Sequence, residues 1–307
     1  MSFKGTKHFQ KRGVALLITL LFIMLITLSV GIGLKQLNEV SHHMKAENFL
    51  FQTSAILDDA LRLLQNSQEL NAINSSEEFS VFLSEAAFIP FEASGIKVSL
   101  ELNSARSKFN VNSLMDLNNS IDHDRVNSLK EYMSNYMVNI GFVDVLLDSM
   151  GGIKEDMSYN SDLFNEKSRL FRDYIISDKH FDELSDFYLN YYRDNSLKNI
   201  DFKELFYFSN NRSHKVDLNY ATAEVWEMML GCDKLKATEL SKSSYNSFES
   251  IGLSDEELDS VKKKFDTSFF EPYLDVVIKV EQGEHNARIR FEYDIKKREG
   301  SNFVYDI

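Results

Sequence analysis

Residues that could do chemistry are plentiful in this 307-residue chain, but few are spaced for it. There is no phosphate-binding P-loop, no GxSxG elbow, no HExxH zinc pair and no paired-cysteine metal site. The seven histidines are scattered, and His42-His43 reads as a solvated helix face. Cys232 is alone, so no intrachain disulfide forms, and its setting suits a small apolar residue better than a reactive thiol. Acids outnumber Lys and Arg to give a formal charge of −13, a surface that repels nucleic acid and anionic membranes and offers oxygen ligands to hard cations such as calcium. Sequence alone pairs no two of these acids across a cleft as acid and base, so an enzyme has no positive support.

The one junction arranged for a reaction is Lys11-Arg12-Gly13-Val14. Met1 to Gly13 form a basic leader with Lys4, Lys7, Lys11 and Arg12 and no acid, directly against an apolar run from Val14 to Leu34. A secretory signal is cut beyond its apolar core. Here the candidate cut lies before a segment about as long as the ~20 residues that span a bilayer, so cleavage would keep the helix. Removing the leader's cations leaves a charge of about −17. The same cations hold the N-terminus in the cytoplasm and send everything after Leu34 outward, as they would in an ordinary signal anchor.

The apolar spacing continues through Leu37, Val40, Met44, Phe51, Ala55 and Leu61, which predicts a helix from Val14 to about Gln65, roughly 75 Å long. Gly31 and Gly33 mark its outer boundary in lipid. Pro90 and Pro272, the only prolines, each precede strand patterns. Residues 96–102 alternate apolar and polar, as do Val276, Ile278 and Val280. After a turn at Gln282-Gly283-Glu284, Ile289, Phe291, Tyr293 and Ile295 face away from Arg288, Arg290, Glu292 and Asp294. A further turn is expected at Glu299-Gly300-Ser301 before Phe303, Val304 and Tyr305. Between the prolines the period is helical, near 123–150, 163–175, 180–193, 221–231, 233–245 and 254–265. One antiparallel sheet interrupted by a helical insert of about 150 residues is the economical α+β architecture.

Three internal stretches carry a further pattern: Ser107 to Leu114 (SKFNVNSL), Arg172 to Asp178 (RDYIISD) and Lys215 to Trp226 (KVDLNYATAEVW). With the leader, their order and spacing resemble the K-type minor pseudopilins of bacterial type II secretion systems, the GspK family. There a "GKxNLNxL" segment, a "DWxDxD" segment and a "VNxNTAxxEVL" segment follow one another, and an "SxxF" element like Ser268-Phe269-Phe270 opens the last strands. The resemblance runs from residue 11 to about 297 and implies a type IV pilin-like fold. In its terms, 1–13 is a cleaved leader with its methylation motif and 14–66 the transmembrane assembly helix. Residues 67–114 and 266–307 form the pilin-like part, and 115–265 the inserted helical domain.

The implied role is a tip subunit that initiates and caps a pseudopilus with I- and J-type members, and with the H-type, for protein secretion across the outer membrane. The implied partners also include the prepilin peptidase, cutting between Gly13 and Val14, and the inner-membrane assembly platform. The protein would sit in the inner membrane with its C-terminal domain periplasmic. Ile18 is fifth in the mature chain, where most pilins carry a glutamate; an apolar residue there suits a subunit with no neighbour above it. Relatives bind calcium in the insert, and Asp173, Asp178 and Asp186 match part of that ligand pattern, with Tyr174, Ile176 and Ser185 departing from it.

A minor pilin of a type IV or DNA-uptake pilus shares the leader and anchor. Val216 to Trp226 also resembles the helix-hairpin-helix of competence DNA receptors, but Asp233 stands where the second hairpin glycine belongs, which weighs against nucleic acid.

Overall fold

The computed structural model describes residues 18–26, 42–93, 95–154 and 158–306. The leader, the Gly13–Val14 bond, Gly31, Gly33 and most of the apolar run lie outside them. In chain order, α1 (18–26), α2 (His42–Asn66), α3 (Gln68–Asn71) and α4 (Ser76–Ala86) lead into β1 (Phe88–Ala93) and β2 (Ile96–Ser104). There follow β3 (Phe109–Asn110), α5 (His123–Asn135), α6 (Gly141–Met150), α7 (Leu163–Glu166), α8 (Asp178–Tyr191), α9 (Phe202–Leu205), β4 (Phe206–Tyr207) and β5 (Val216–Asp217). Then come α10 (Ala223–Leu230), α11 (Lys234–Ser241), α12 (Asp255–Lys264) and β6 (Thr267–Ser268), and the chain closes with β7 (Tyr273–Gln282), β8 (His285–Asp294) and β9 (Glu299–Asp306). Of the one straight helix expected from Val14 to Gln65, α1 and α2 are described, but Leu21 and Leu25 of α1 lie beside Ile56 and Ala60 of α2, so the two are not one straight helix; among the described residues no helix is long and apolar enough to cross a membrane.

The chain divides into two compact units, 1–104 with 272–307, and 105–271. In the first, a five-stranded antiparallel sheet runs in the order β1-β2-β7-β8-β9. Its register places Leu100 opposite Ile278 and Ile278 opposite Ile289, and the alternation of each strand puts these residues on one buried face. Helix α2 covers that face with Thr53, Leu57, Ala60 and Leu64, recurring at steps of four, three and four residues. Burying Leu64 alone contributes about 2 kcal/mol.

Two details depart from the sequence pattern. Pro90 lies inside β1 rather than ahead of the sheet, and β1 is an edge strand, where a residue without an N–H is tolerated. The β8–β9 turn falls at 295–298, not at Glu299-Gly300-Ser301, which already belongs to β9. Asp294 sets it early: its Oδ1 accepts from Lys296 N (2.9 Å) and Lys297 N (3.0 Å), and Arg298 takes a φ of 60°. Gly300 serves closeness instead, since a Cβ there would stand 2.8 Å from Phe303 Cζ and 3.0 Å from Leu61 Cδ2.

The second unit is helical around one core that includes Trp226, Tyr132, Phe142, Phe164 and Tyr188. α10 packs against α5, α9, α11 and α12. Phe142 joins Phe181, Tyr188 and Phe202 through ring contacts of 5.9, 5.2 and 5.9 Å between centroids. The helical pattern of 123–150 breaks at Met137, whose φ is 58°. That of 163–175 yields only the single turn of α7. Beyond it, Arg172 lays its guanidinium 3.9 Å from the Phe164 ring centroid, and Ile175 N donates to Asn112 Oδ1 at 2.7 Å, so long-range bonds replace the helical ladder. The unit begins ten residues before 115 and ends six after 265. Residues 105–114 and 266–271 fold with it because their polar groups bond into it, as Arg106 O and Glu271 N do to Asp217.

Candidate functional site

Phe109-Asn110 forms a short parallel pairing with Phe206-Tyr207, and Val111–Leu114 closes into a 3₁₀ turn. Both asparagines are buried. Asn110 uses all four of its amide's hydrogen-bonding places: Nδ2 donates to Ser209 O (3.1 Å) and Asn211 O (2.9 Å), and Oδ1 accepts from Asn112 N (3.3 Å) and Ser209 N (3.2 Å). Asn112 Nδ2 donates to Ile175 O (2.9 Å) and Ser209 O (3.0 Å). Residues 107 to 114 thus clamp two distant loops, one of them the stretch holding Arg172 to Asp178. Through Asn110 and Asn112 they act as a structural pin.

Lys215 to Trp226 pins the unit's two ends together. Asp217, fully buried, donates its N–H to Arg106 O (2.9 Å), and its carboxylate accepts from Glu271 N (2.8 Å) and Asn219 N (3.0 Å). Burial pushes the Asp217 carboxyl up to about 6, against the pull of those two N–H bonds. Asn219 Nδ2 donates to Tyr245 O (3.0 Å) and Phe269 O (2.6 Å). Thr222 caps α10 through Val225 N (3.2 Å), and Trp226 is sealed against Tyr245.

Neither motif was legible as a pin from sequence, because spacing does not say which distant carbonyl an amide will reach. Arg106, whose Nη1 lies 2.9 Å from His214 Nδ1 in the interior, was missed for the same reason. So was Asp148, which is buried and holds Asn160 N, Ser161 N and Ser161 Oγ.

The three expected calcium ligands are not brought together. Asp173 is exposed, with its carbonyl bound by Arg212 Nη2 at 3.1 Å. Asp178 opens α8 one position after the cap, which is Ser177. Asp186 lies eight residues further along the same helix, about 12 Å by helical rise. Calcium oxygens at 2.3–2.6 Å from one ion stand within about 5 Å of each other. Asp182 lies between the two; burial raises its carboxyl, Lys203 lowers it, and Asp178 and Asp186 raise it further, the mark of an acidic stripe. Among the described residues no three His, Cys, Asp or Glu side chains are grouped to hold a metal.

The hairpin between α10 and α11 carries its own anion. Gly231 ends α10 at a φ of 62°, and Asp233 caps α11 by accepting from Lys236 N at 2.9 Å. That carboxylate sits at the helix N-terminus where a phosphate would have to approach. Lys236 is paired with Glu257 at 2.6 Å and Lys234 lies 3.9 Å from Glu224. Burial pushes the neighbouring Cys232 thiol up, away from reactivity. At the other end of the chain, Ile18 opens α1 and is half-buried.

Neither a protein-family model nor a curated protein matches the sequence. A solved structure does match in fold: a chain of the GspK-GspI-GspJ complex from the enterotoxigenic Escherichia coli type 2 secretion system. It superposes with a TM-score of 0.52 at 12% identity, covering 86% of this chain and 95% of that one. What this likeness carries is the fold, shared with a chain of that complex. The mixed architecture expected from the sequence, helices with an antiparallel sheet and a large helical insert, is shared across this span.

Proposed function

We propose that this protein is a minor pseudopilin of a type II secretion system that initiates and caps the pseudopilus tip together with I- and J-type partners. The observation that carries the reading is the fold likeness to a chain of a GspK–GspI–GspJ complex over 86% of the sequence, in a chain whose leader and motif order resemble the same family. On this reading the protein is an assembly component rather than an enzyme. A prepilin peptidase cuts after Gly13, and the apolar segment from Val14 anchors a periplasmic domain before passing into the fibre. Ile18, with no charge to satisfy a neighbour above, suits the terminal position. The acid at the α11 N-terminus supports partner proteins over DNA as what the insert meets.

The test is expression of the full chain with the prepilin peptidase and the I- and J-type pseudopilins of its own host. Mass analysis is expected to show a chain beginning at Val14, copurifying with both partners. An intact Met1, or a processed chain that binds neither partner, would refute the assignment.

A further inference from the structure

The five-stranded sheet has two edges of opposite character. β1 carries Pro90, a residue type that offers no N–H and blunts an edge. β9 forms the other edge with Glu299-Gly300-Ser301-Asn302-Phe303-Val304-Tyr305-Asp306, a stretch with no proline, lysine or arginine. It pairs with β8, and among the described residues no strand lies on its other side. Past the bulge between Arg290 and Glu292 the register is regular, with Val304 opposite Arg290 and Asp306 opposite Arg288. An edge strand turns alternate N–H and C=O groups outward, a template for one more strand.

The face beside that edge is apolar and runs out of cover. Phe303 stacks on Phe291 of β8 (5.1 Å between centroids, 23°), and Tyr305 continues the ladder from Phe303 (6.5 Å, 19°). Phe291 is fully buried, whereas Phe303 is 36% and Tyr305 55% exposed. Leu61 of α2 reaches Gly300 and Phe49 stacks on His285 (5.5 Å), so α2 runs alongside β9 with its N-terminus toward Tyr305. Leu50, about three turns before Leu61 on the same side of α2, is exposed there. α1 lies on the β1 and β2 side of the sheet instead.

We propose that β9 is a docking edge to which a partner pseudopilin adds an extended strand, apolar where it passes Phe303 and Tyr305 and basic where it passes Asp306. This rests on the pseudopilin reading and adds to it the mode of contact and the chemistry of the segment that makes it. Backbone bonds hold the added strand, while the aromatic ladder and Leu50 select its side chains. A second copy of β9 is the poorer occupant. Paired antiparallel with itself over its full length, it sets Glu299 opposite Asp306 at both ends, like charge against like, between chains that each carry a formal −13.

Hydrogen exchange read by mass compares the full chain in detergent, alone and complexed with its host's I- and J-type partners. The amides of 299–306 are expected to exchange at least about tenfold more slowly in the complex, and those of β1 at an unchanged rate. Tyr305→Lys puts a charge among the apolar side chains of the added strand and is expected to weaken partner binding about tenfold. Its thermal midpoint stays, because the ring is more than half exposed; Phe88→Lys, exposed on the other edge, leaves binding and midpoint unchanged. If the complex forms and 299–306 exchange as in the free chain, or if Tyr305→Lys binds as wild type, the docking edge is wrong and the pseudopilin assignment stands. Slow exchange of 299–306 in the chain alone, at concentrations where it dimerises, would make a second copy the occupant and overturn the proposal too. If no complex forms with the unmodified chain, both fall.

Discussion

Replacing Asp217 by asparagine tests the account of the insert's closure most directly. The carboxyl is fully buried, and its folded value is raised from 3.8 to about 6, first by burial and then by Glu271, with two backbone N–H bonds opposing. A raised folded value means the native state holds the proton more tightly than the unfolded chain. The group's stabilisation is therefore complete below about pH 4 and lost as pH rises through about 6. Two units at 1.36 kcal/mol each make that loss about 3 kcal/mol.

The Asp217→Asn variant carries no charge at any pH, but its NH2 must face either Glu271 N–H or Asn219 N–H, donor against donor. One lost bond and one unmet donor cost about 2 kcal/mol. The variant is thus expected to be less stable than wild type by about 2 kcal/mol at pH 4, and equal or slightly more stable at pH 7.5. Trp226, the single tryptophan and fully buried beside this motif, reports urea unfolding of the insert by fluorescence at each pH. A wild-type-minus-variant difference that stays flat between pH 4 and 7, or that grows with pH, would refute the reasoning.

Asn112→Ala strands Ile175 N–H and removes both donors from Ile175 O and Ser209 O; a loss of about 3 kcal/mol is expected by the same assay, and less than about 1 kcal/mol would show that the loops are held otherwise. Gly300→Ala drives a methyl into Phe303 and Leu61 and should cost about 1–3 kcal/mol, read as a lowered thermal midpoint with the sheet's circular dichroism retained. Because Asp173, Asp178 and Asp186 lie apart, millimolar calcium against chelator is expected to leave the thermal midpoint unchanged. A rise of several degrees, abolished by Asp178→Asn, would show that these acids do gather around an ion.

The strands were legible because burial on one face of a sheet imposes a period of two, which Ile96–Ser104 and most of Tyr273–Gln282 show; His285–Asp294 shows it only as far as Phe291, since Glu292 and Asp294 are buried too. The helical periods near 221–231 and 254–265 became α10 and α12, each opened by a short polar side chain that accepts from the N–H three residues on, Thr222 and Ser254. The pattern failed at 163–175, where an apolar period suited a helix but Asn112 and Phe164 captured the backbone and side chains first. It failed again at Gly300, where glycine answered a crowded neighbour rather than a turn.

The same division applies to function. The sequence by itself determined the basic segment set against an apolar run, the net charge, the alternation of the sheet and the order of the motifs, because each is written in local composition and spacing. Only the tertiary structure decided what the motifs do. Asn110, Asn112, Asp217 and Asn219 are spent on distant backbone groups, and the acids of α8 run along a helix instead of converging. A side chain's type fixes which bonds it can make, but the partner it makes them with is fixed by contacts between segments as much as a hundred residues apart.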